Sequence, residues 1–291
     1  MRELQSSPGM LTMFARAGAA MIPGASRLPF VGGGGGELPD LTYALSGVSV
    51  DRDRLAAYNR VCGFSLRNAL PATYPHMLAF PLHLKLMTDP SFPFAAIGLV
   101  HIYNQITQKR PIDAGEPLDI RVWAADLEPH PRGRQFSIRS EARAGDELVW
   151  DAASINLRRG GGGEPDAASG PEVPSAEDLA AAATWKLPGD LGRRYGSVSG
   201  DLNPIHVHSL SARLFGFPSA IAHGMWTKAR CLAALEARLP EAFSVRVAFK
   251  RPILLPATVE FAAAGDDDGI RFGVRDRRQQ TPHLDGSVKF G

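Results

Sequence analysis

The chain has 291 residues, of which 44% are hydrophobic, and a formal net charge of +2. Its size allows one large core or two smaller ones, and its composition excludes a disordered chain. The balanced charge gives no electrostatic reason to expect nucleic-acid binding. Two cysteines, Cys62 and Cys231, are too few for a disulfide framework, so we expect a cytoplasmic protein.

Residues 1–36 are predicted to form an N-terminal arm. Residues 10–31 are fairly apolar, but two arginines and two prolines interrupt them. This segment is therefore not expected to span a bilayer, and it makes a poor signal peptide. The glycine run at 32–36 is typical of a linker.

Residues 37–159 are predicted to form a first domain. Its apolar segment 73–87 is predicted to be a helix. Four segments rich in β-branched and aromatic residues follow this helix, and we predict them to be strands. These strands are 96–105, 117–127, 134–142 and 148–157.

A second glycine- and proline-rich segment, 160–179, is predicted to link this domain to another at 180–291. Neither glycine run is followed by the Lys-Ser or Lys-Thr pair of a phosphate-binding loop. The second domain repeats the order of the first, with a helix followed by strands. The helix is 225–239, and the strands are 244–249, 258–264 and 270–274.

Two short matches indicate an internal repeat. YNRVCG at 58–63 matches YGSVSG at 195–200, an offset of 137 residues (195 minus 58). KRPI at 109–112 matches KRPI at 250–253, an offset of 141 residues (250 minus 109). Matches in the same order and at similar offsets favour a duplication.

The segment directly after YGSVSG at 195–200 carries the candidate chemistry. Asn203 suits a helix N-cap and Pro204 the first helical position, which places His206 in the first turn. Asp201 precedes the cap and can fold back toward His206, so the two can form an acid/base pair. Taken alone, Asp201 could equally be a turn former and His206 a structural residue at a helix start.

This segment resembles the signature of the hydratase-2 or MaoC-like family, and the resemblance is densest over 195–239. The residues that carry it are Tyr195, Gly200, Asp201, Asn203, Pro204, Ile205, His206 and Ala212. The resemblance implies an α+β double hot-dog fold, with two curved antiparallel sheets each wrapped around a central helix.

The resemblance also implies an activity, namely reversible hydration of trans-2-enoyl thioesters and dehydration of (R)-3-hydroxyacyl thioesters in fatty-acid metabolism. Asp201 and His206 would be the catalytic pair, with His206 acting on the water oxygen and Asp201 on the α-carbon proton, although the reverse assignment stays open. Coenzyme A or acyl carrier protein would bring the acyl group, with no metal or redox cofactor. We expect no membrane span or nucleic-acid partner, and a homodimer is a possible assembly.

Four further residues are candidates for oxyanion stabilisation or substrate positioning. Gly224 stands where the family has its oxyanion donor, and its N–H would lie near the start of the central helix. The alternative role for Gly224 is a close approach of helix and sheet. Asn203, Ser199 and His223 complete the set; His223 either orients the loop or caps polar groups.

The first half lacks the pair, because Phe64 follows Gly63 where the second half has Asp201. Apolar residues stand in its place, and they either line an acyl-chain pocket or pack in the core. The pocket candidates are Phe64, Phe80 and Leu82, with Leu66, Leu78 and Leu86 of the same kind.

Other chemistries find less support. His206 and His208 diverge by about 200° if they share a helix, which disfavours a metal site. Ser197, Ser199 and the cysteines lack a motif that would activate a nucleophile. Arginines near the C-terminus either meet coenzyme A phosphates or a carrier protein's acidic face, or form a solvated edge. They are Arg271, Arg275, Arg277 and Arg278.

Two other functions remain as alternatives. A hot-dog thioesterase would hydrolyse the thioester instead of hydrating the double bond. A non-catalytic acyl-binding subunit would bind the thioester without turnover, although the intact Asp201 and His206 argue against it.

Overall fold

The computed structural model describes residues 1–10, 12–14, 36–160, 163–164 and 166–291. These residues group into two compact units, each assembled from separate segments of the chain. The first unit contains 1–49, 75–102 and 116–171, and the second contains 50–74, 103–115 and 172–291. The second unit therefore includes two segments from the first predicted domain, and the boundaries at 37–159 and 180–291 remain a prediction. Most of the predicted arm and its glycine run lie outside the described residues.

Strands make up most of the regular structure. In chain order they are β1 (Arg2–Leu4), β2 (Thr42–Val48), β3 (Leu99–Gln108), β4 (Leu118–His130), β5 (Gly133–Ala144), β6 (Glu147–Arg159), β7 (Ala181–Leu187), β8 (Phe243–Phe249), β9 (Ala257–Gly265), β10 (Gly269–Asp276) and β11 (Pro282–Phe290). The helices are α1 (Arg52–Cys62), α2 (Tyr74–Met87), α3 (Leu191–Ser199), α4 (Pro204–Val207), α5 (Ser209–Leu214) and α6 (Gly224–Leu235), and a 3-10 turn (Glu236–Arg238) follows α6.

In the first unit an apolar helix packs on an antiparallel sheet. The sheet has the order β1-β2-β4-β5-β6, in which only the β1–β2 pair is parallel. Helix α2 is apolar on nearly every face, as expected of a helix buried in a core. Leu82 and Leu86 are fully buried, and His83 Nε2 lies 2.7 Å from Ser140 Oγ of β5.

In the second unit the sheet is antiparallel, in the order β3-β8-β11-β10-β9-β7. β3 contributes its residues 103–108 to this sheet. Helix α6 buries most of its side chains, including Ala229 and Leu232. None of the described helices is both long enough and apolar enough to cross a membrane.

Most predicted elements are confirmed, with shifted ends. Helix 73–87 is α2, and helix 225–239 is α6 with its 3-10 turn. The seven predicted strands correspond to β3 to β6 and β8 to β10. Strands β1, β2, β7 and β11 and helices α1, α3 and α5 were not predicted from the sequence.

A fully buried lysine joins α6 to its sheet. Lys228 Nζ lies 2.6 Å from Asn104 Oδ1, and 3.2 Å from the carbonyl oxygens of Asn104 and Val245. The three acceptors match the three donors of an ammonium group.

We expect Lys228→Ala to lower the free energy of unfolding by about 2–4 kcal/mol, because it removes buried hydrogen bonds and leaves a cavity. Urea unfolding followed by circular dichroism measures this change. Lys186→Ala, at an exposed position on β7, is the control and should stay within about 0.5 kcal/mol of wild type. A loss at Lys228 no larger than in the control would contradict the expectation.

Candidate active site

Helices α1 and α3 are equivalent parts of the internal repeat. Each ends at a glycine with a left-handed backbone, Gly63 at φ 85° and Gly200 at φ 84°. Glycine adopts this conformation without strain, so it ends a helix well. Tyr58 and Tyr195 occupy matching positions before these glycines.

Hydrogen bonds farther along the chain also repeat. The Leu70 N–H donates to the Ile112 carbonyl at 2.8 Å, and the Ala222 N–H donates to the Ile253 carbonyl at 2.9 Å. Ile112 and Ile253 end the two KRPI segments, at the offset of 141 residues (253 minus 112). These paired bonds support the predicted duplication.

The candidate catalytic segment lies in an interval that is longer in the second repeat than in the first. Leu70 and Ala222 are 152 residues apart (222 minus 70), whereas the two tyrosines are 137 apart (195 minus 58). The second repeat therefore has fifteen more residues in this interval (152 minus 137). Helices α4 and α5 lie in the same interval, so the first repeat lacks room for this whole segment and not only the acid/base pair.

The predicted helix start is confirmed. Asn203 is the N-cap of α4, its Oδ1 accepts from the Ile205 N–H at 3.4 Å, and Pro204 is the first helical residue. Helix α4 ends after a single turn, at Val207. His206 lies in this turn, as predicted.

A backbone contact orients the ring of His206. Its Nδ1 lies 2.8 Å from the carbonyl oxygen of Ile221, and since a carbonyl only accepts, Nδ1 carries the hydrogen. The neutral ring then keeps a lone pair on Nε2, available to accept a proton.

Asp201 is held by the residues on either side of it. Its Oδ1 accepts from the Asn203 N–H at 3.2 Å, and its own N–H donates to Ser199 Oγ at 3.1 Å. The buried Ser199 and the N-cap Asn203 thus fix the loop that carries the carboxyl group. Their predicted contact with substrate remains a prediction.

Two glycines of α3 let this loop lie directly against the helix. A methyl group at Gly192 would overlap the His206 carbonyl group, with the carbonyl carbon 2.8 Å away, and one at Gly196 would lie 2.9 Å from the Asp201 carbonyl oxygen. Neither glycine was predicted from the sequence to have this role. The four-residue spacing of Gly192, Gly196 and Gly200 was the available signal.

His223 supports both members of the pair. Its ring stacks on the His206 ring with centroids 3.7 Å apart and planes inclined by 24°. Its Nε2 lies 3.0 Å from the Asp201 carbonyl oxygen and 3.8 Å from Asp201 Oδ2. The side chain is 3% exposed, against 26% for Asp201. These contacts favour the expectation that His223 orients the loop.

Burial shifts the pKa of each of these three groups in the direction that favours its neutral form. It raises the pKa of Asp201, partly offset by His206 and by the Asn203 N–H. It lowers the pKa of His206, partly offset by the Asp201 charge and the Ile221 carbonyl. It also lowers the pKa of His223 well below its usual value.

Asp201, His206 and His223 place one donor atom each within 4.8 Å of one another, which invites a metal hypothesis. The stacked rings oppose it, because a histidine ligand directs its lone pair in the ring plane and parallel planes do not converge on one ion. The His206 Nδ1 and His223 Nε2 atoms also contact carbonyl oxygens. We therefore keep the prediction of a metal-free site.

The geometry predicted for His208 was wrong. His208 lies outside α4, in an extended conformation, and its Nδ1 accepts from the Leu210 N–H at 3.1 Å as the N-cap of α5. The helical angle between His206 and His208 therefore does not apply, because the helix ends after one turn.

Gly224 is the first residue of α6, so its N–H has no partner within the helix and lies at the positive end of the helix dipole. This position suits an oxyanion donor. A methyl group at Gly224 would also lie 2.9 Å from the Phe249 ring, so the close approach of helix and sheet needs glycine as well.

The acyl-pocket candidates lie in different surroundings. Phe64 stacks on Tyr58 in the second unit, with centroids 6.4 Å apart. In the first unit, Leu82 is fully buried core and the half-buried Phe80 packs against His83. Their contact with an acyl chain remains a prediction. Leu66, of the same set, is 73% exposed and is not a core residue.

The C-terminal arginines divide into two pairs. Arg271 forms two hydrogen bonds with Asp178, at 2.8 and 2.7 Å, and Arg275 pairs with Glu260 at 3.3 Å. Both of these guanidinium groups are thus paired with carboxylates of the protein itself. This disfavours the alternative that they bind coenzyme A phosphates or a carrier protein. Arg277 and Arg278 are exposed.

Cys62 and Cys231 are free and buried, and burial raises the pKa of both thiols, which disfavours a nucleophile.

Residues 177–285 match the family described as MaoC like domain. The chain is 35% identical over 289 residues to 3-hydroxyacyl-thioester dehydratase X of Mycobacterium tuberculosis, covering 98% of this chain and 99% of the relative. The crystal structure of that organism's HtdX matches with a TM-score of 0.77 at 35% identity, over 86% of this chain and 100% of the other.

Two more distant structures show the fold. A MaoC-like dehydratase from Phytophthora capsici has a TM-score of 0.73 at 18% identity, over 88% of this chain and 96% of the other. A double hot-dog protein from Mycobacterium tuberculosis has a TM-score of 0.54 at 14% identity, over 88% of this chain and 98% of the other. The predicted α+β double hot-dog fold is confirmed, and the near full-length relative shows that the chain belongs to the MaoC-like dehydratase family.

Proposed function

We propose that this protein is a hydro-lyase that dehydrates (R)-3-hydroxyacyl thioesters and, in reverse, hydrates trans-2-enoyl thioesters in fatty-acid metabolism. The observation that carries the proposal is the Asp201/His206 pair on its loop, with His206 Nε2 left as the proton acceptor by the Nδ1 contact. The near full-length relative, a 3-hydroxyacyl-thioester dehydratase, supports the same reaction.

In the hydration direction, neutral His206 accepts a proton at Nε2 from water as the oxygen bonds to the β-carbon. The protonated Asp201 carboxyl group gives its proton to the α-carbon, and the proton on His206 then returns to Asp201. The raised pKa of Asp201 and the lowered pKa of His206 favour this starting state. The reverse assignment carries the same number of protons, so a pH profile does not separate the two.

The Gly224 N–H is the proposed donor to the thioester oxygen, on which negative charge develops in the transition state. One such donor is worth about 10²- to 10³-fold in rate. Coenzyme A or acyl carrier protein supplies the acyl group, and the proposed site needs no metal or redox cofactor. The homodimer and the cytoplasmic location remain predictions.

Enoyl-CoA substrates of increasing chain length test the function. We expect reversible loss of the enoyl absorbance without release of free thiol. Release of thiol at the same rate would instead identify a thioesterase, and binding without turnover would identify a non-catalytic acyl-binding subunit.

The pH dependence follows from the lowered pKa of His206. Because burial keeps the ring neutral at lower pH, the acid limb of kcat/KM should lie below the ordinary histidine value of 6.5. Asp201→Asn removes the only charge at this position that could raise the His206 pKa, so this pKa should be no higher than in wild type. NMR titration of the histidine ring protons measures the His206 pKa in wild type and in Asp201→Asn. A higher His206 pKa in the variant would contradict the expectation.

A further inference from the structure

Four aromatic rings form a continuous column from the catalytic loop to α1, a helix of the first repeat. The His206 ring stacks on the His223 ring with centroids 3.7 Å apart, and the His223 ring packs against the Tyr195 ring with centroids 4.9 Å apart. The Tyr195 ring in turn contacts the Tyr58 ring, with centroids 6.1 Å apart and planes inclined by 49°. The column of His206, His223, Tyr195 and Tyr58 lies within the second unit.

Tyr58 is the fixed end of this column. It is fully buried, and its hydroxyl group donates to Thr73 Oγ1 at 2.8 Å. Tyr74 packs edge-on against its ring at 5.3 Å, and Phe64 stacks on it at 6.4 Å. Little space remains for the ring to move.

Hydrogen bonds connect α1, the helix that carries Tyr58, to α3 and α6, the two helices next to the site. Arg54 Nε of α1 donates to the Val198 carbonyl of α3 at 2.7 Å. Trp226 Nε1 of α6 donates to the Val61 carbonyl of α1 at 3.0 Å. Helix α1 therefore keeps a defined position against α3 and α6.

We propose that Tyr58, from the repeat without the acid/base pair, is a positioning residue for Asp201 and His206. The inference rests on the proposed function. The Nδ1 contact fixes one edge of the His206 ring, and the face of His223 supports the ring plane. Tyr195 supports His223 in turn, and Tyr58 supports Tyr195. Loss of the Tyr58 ring opens a cavity into which Tyr195 relaxes, and both histidine rings lose their alignment.

We assign this support to the contact of the Tyr58 ring with the Tyr195 ring, and not to the Tyr58 hydroxyl group. Tyr58→Phe should therefore keep kcat within about threefold of wild type. Tyr58→Leu should lower kcat about tenfold at nearly constant KM, because misaligned acid/base groups slow the chemical step while substrate contacts persist. It should also shift the acid limb of the pH profile.

Steady-state kinetics over a pH series, with urea unfolding, test the proposal. Phe272→Leu is the matched control, since this fully buried ring of β10 lies in the same unit and outside the column. We expect it to lose stability but to keep the wild-type kcat and pH profile. Tyr58→Met, which fills more of the space without a ring, replaces Tyr58→Leu if that variant does not fold.

A wild-type kcat and pH profile in folded Tyr58→Leu or Tyr58→Met would overturn the proposal, as would an equal loss of kcat in the control. Ring-proton NMR spectra of His206 and His223 do not depend on substrate. If wild type shows no hydration, the proposed function fails. Changed histidine signals in the Tyr58 variant still support the column in that case, and unchanged signals refute it.

Discussion

Asp201→Asn and His206→Gln are each expected to lower kcat for enoyl-thioester hydration by about 10²- to 10⁴-fold, the usual contribution of a general acid or base. Asn cannot exchange the proton that the Asp201 carboxyl group gives to the α-carbon, and Gln has no basic nitrogen to replace Nε2 of His206. Hydration rates at saturating substrate measure both losses.

Both variants should remain folded. The Asp201 side chain accepts one backbone N–H at 3.2 Å, which an Asn oxygen can also accept. His206 and Asp201 are only partly buried, so neither substitution opens a large cavity. Unfolding by urea should confirm this before the rates are compared.

Matched controls separate the chemistry from nearby structural changes. Asp190→Asn alters a carboxyl group before α3 that makes no side-chain capping bond, and His208→Gln alters the exposed N-cap of α5. Both should keep activity within a few-fold of wild type. If folded Asp201→Asn and His206→Gln retain near-wild-type rates, the proposed mechanism is wrong.

The acid/base segment was predictable because its information is local. The helix start at Asn203 and Pro204 depends on neighbouring residues alone, and the structure has it as predicted. The single-turn length of α4 was not predictable in the same way, because it depends on the packing of the loop against α3. That error produced the wrong geometry for His208.

The missed elements break the patterns that identify strands and helices. β11 contains Pro282, Asp285 and Gly286, which strand preferences disfavour, yet it lies between β8 and β10. Asp285 is buried there and accepts from the Ala176 N–H at 3.1 Å. Pairing on both sides offsets the poor intrinsic preference, and the sequence pattern does not reveal such pairing.

The first repeat differs from the second by more than the missing acid/base pair. The fifteen-residue difference means that the first repeat lacks the interval that holds the pair. Its helix α1 nevertheless packs against α3 and contributes Tyr58 to the ring column. The first repeat therefore supports the site through packing, which no motif in its sequence indicated.

Gly192→Ala is expected to lower kcat about 10²-fold, although the substitution looks favourable in sequence. Alanine stabilises an exposed helix interior by about 1 kcal/mol relative to glycine. Here the added methyl group would overlap the His206 carbonyl group, with the carbonyl carbon 2.8 Å away, and backbone atoms cannot rotate aside as a flexible side chain can. The catalytic loop must move away from α3, and a displacement of about 1 Å at an acid/base group can cost about 10²-fold in rate.

The same overlap should lower the free energy of unfolding by about 1–3 kcal/mol, which reverses the sign expected from helix preference. Gly189→Ala is the control, because its methyl group would meet only Pro256 at an ordinary 3.9 Å. Hydration rates and urea unfolding of the two variants give the comparison. If Gly192→Ala were more stable than wild type and fully active, the loop could not rest on α3 as described, and the positions of Asp201 and His206 would have to be set by other contacts.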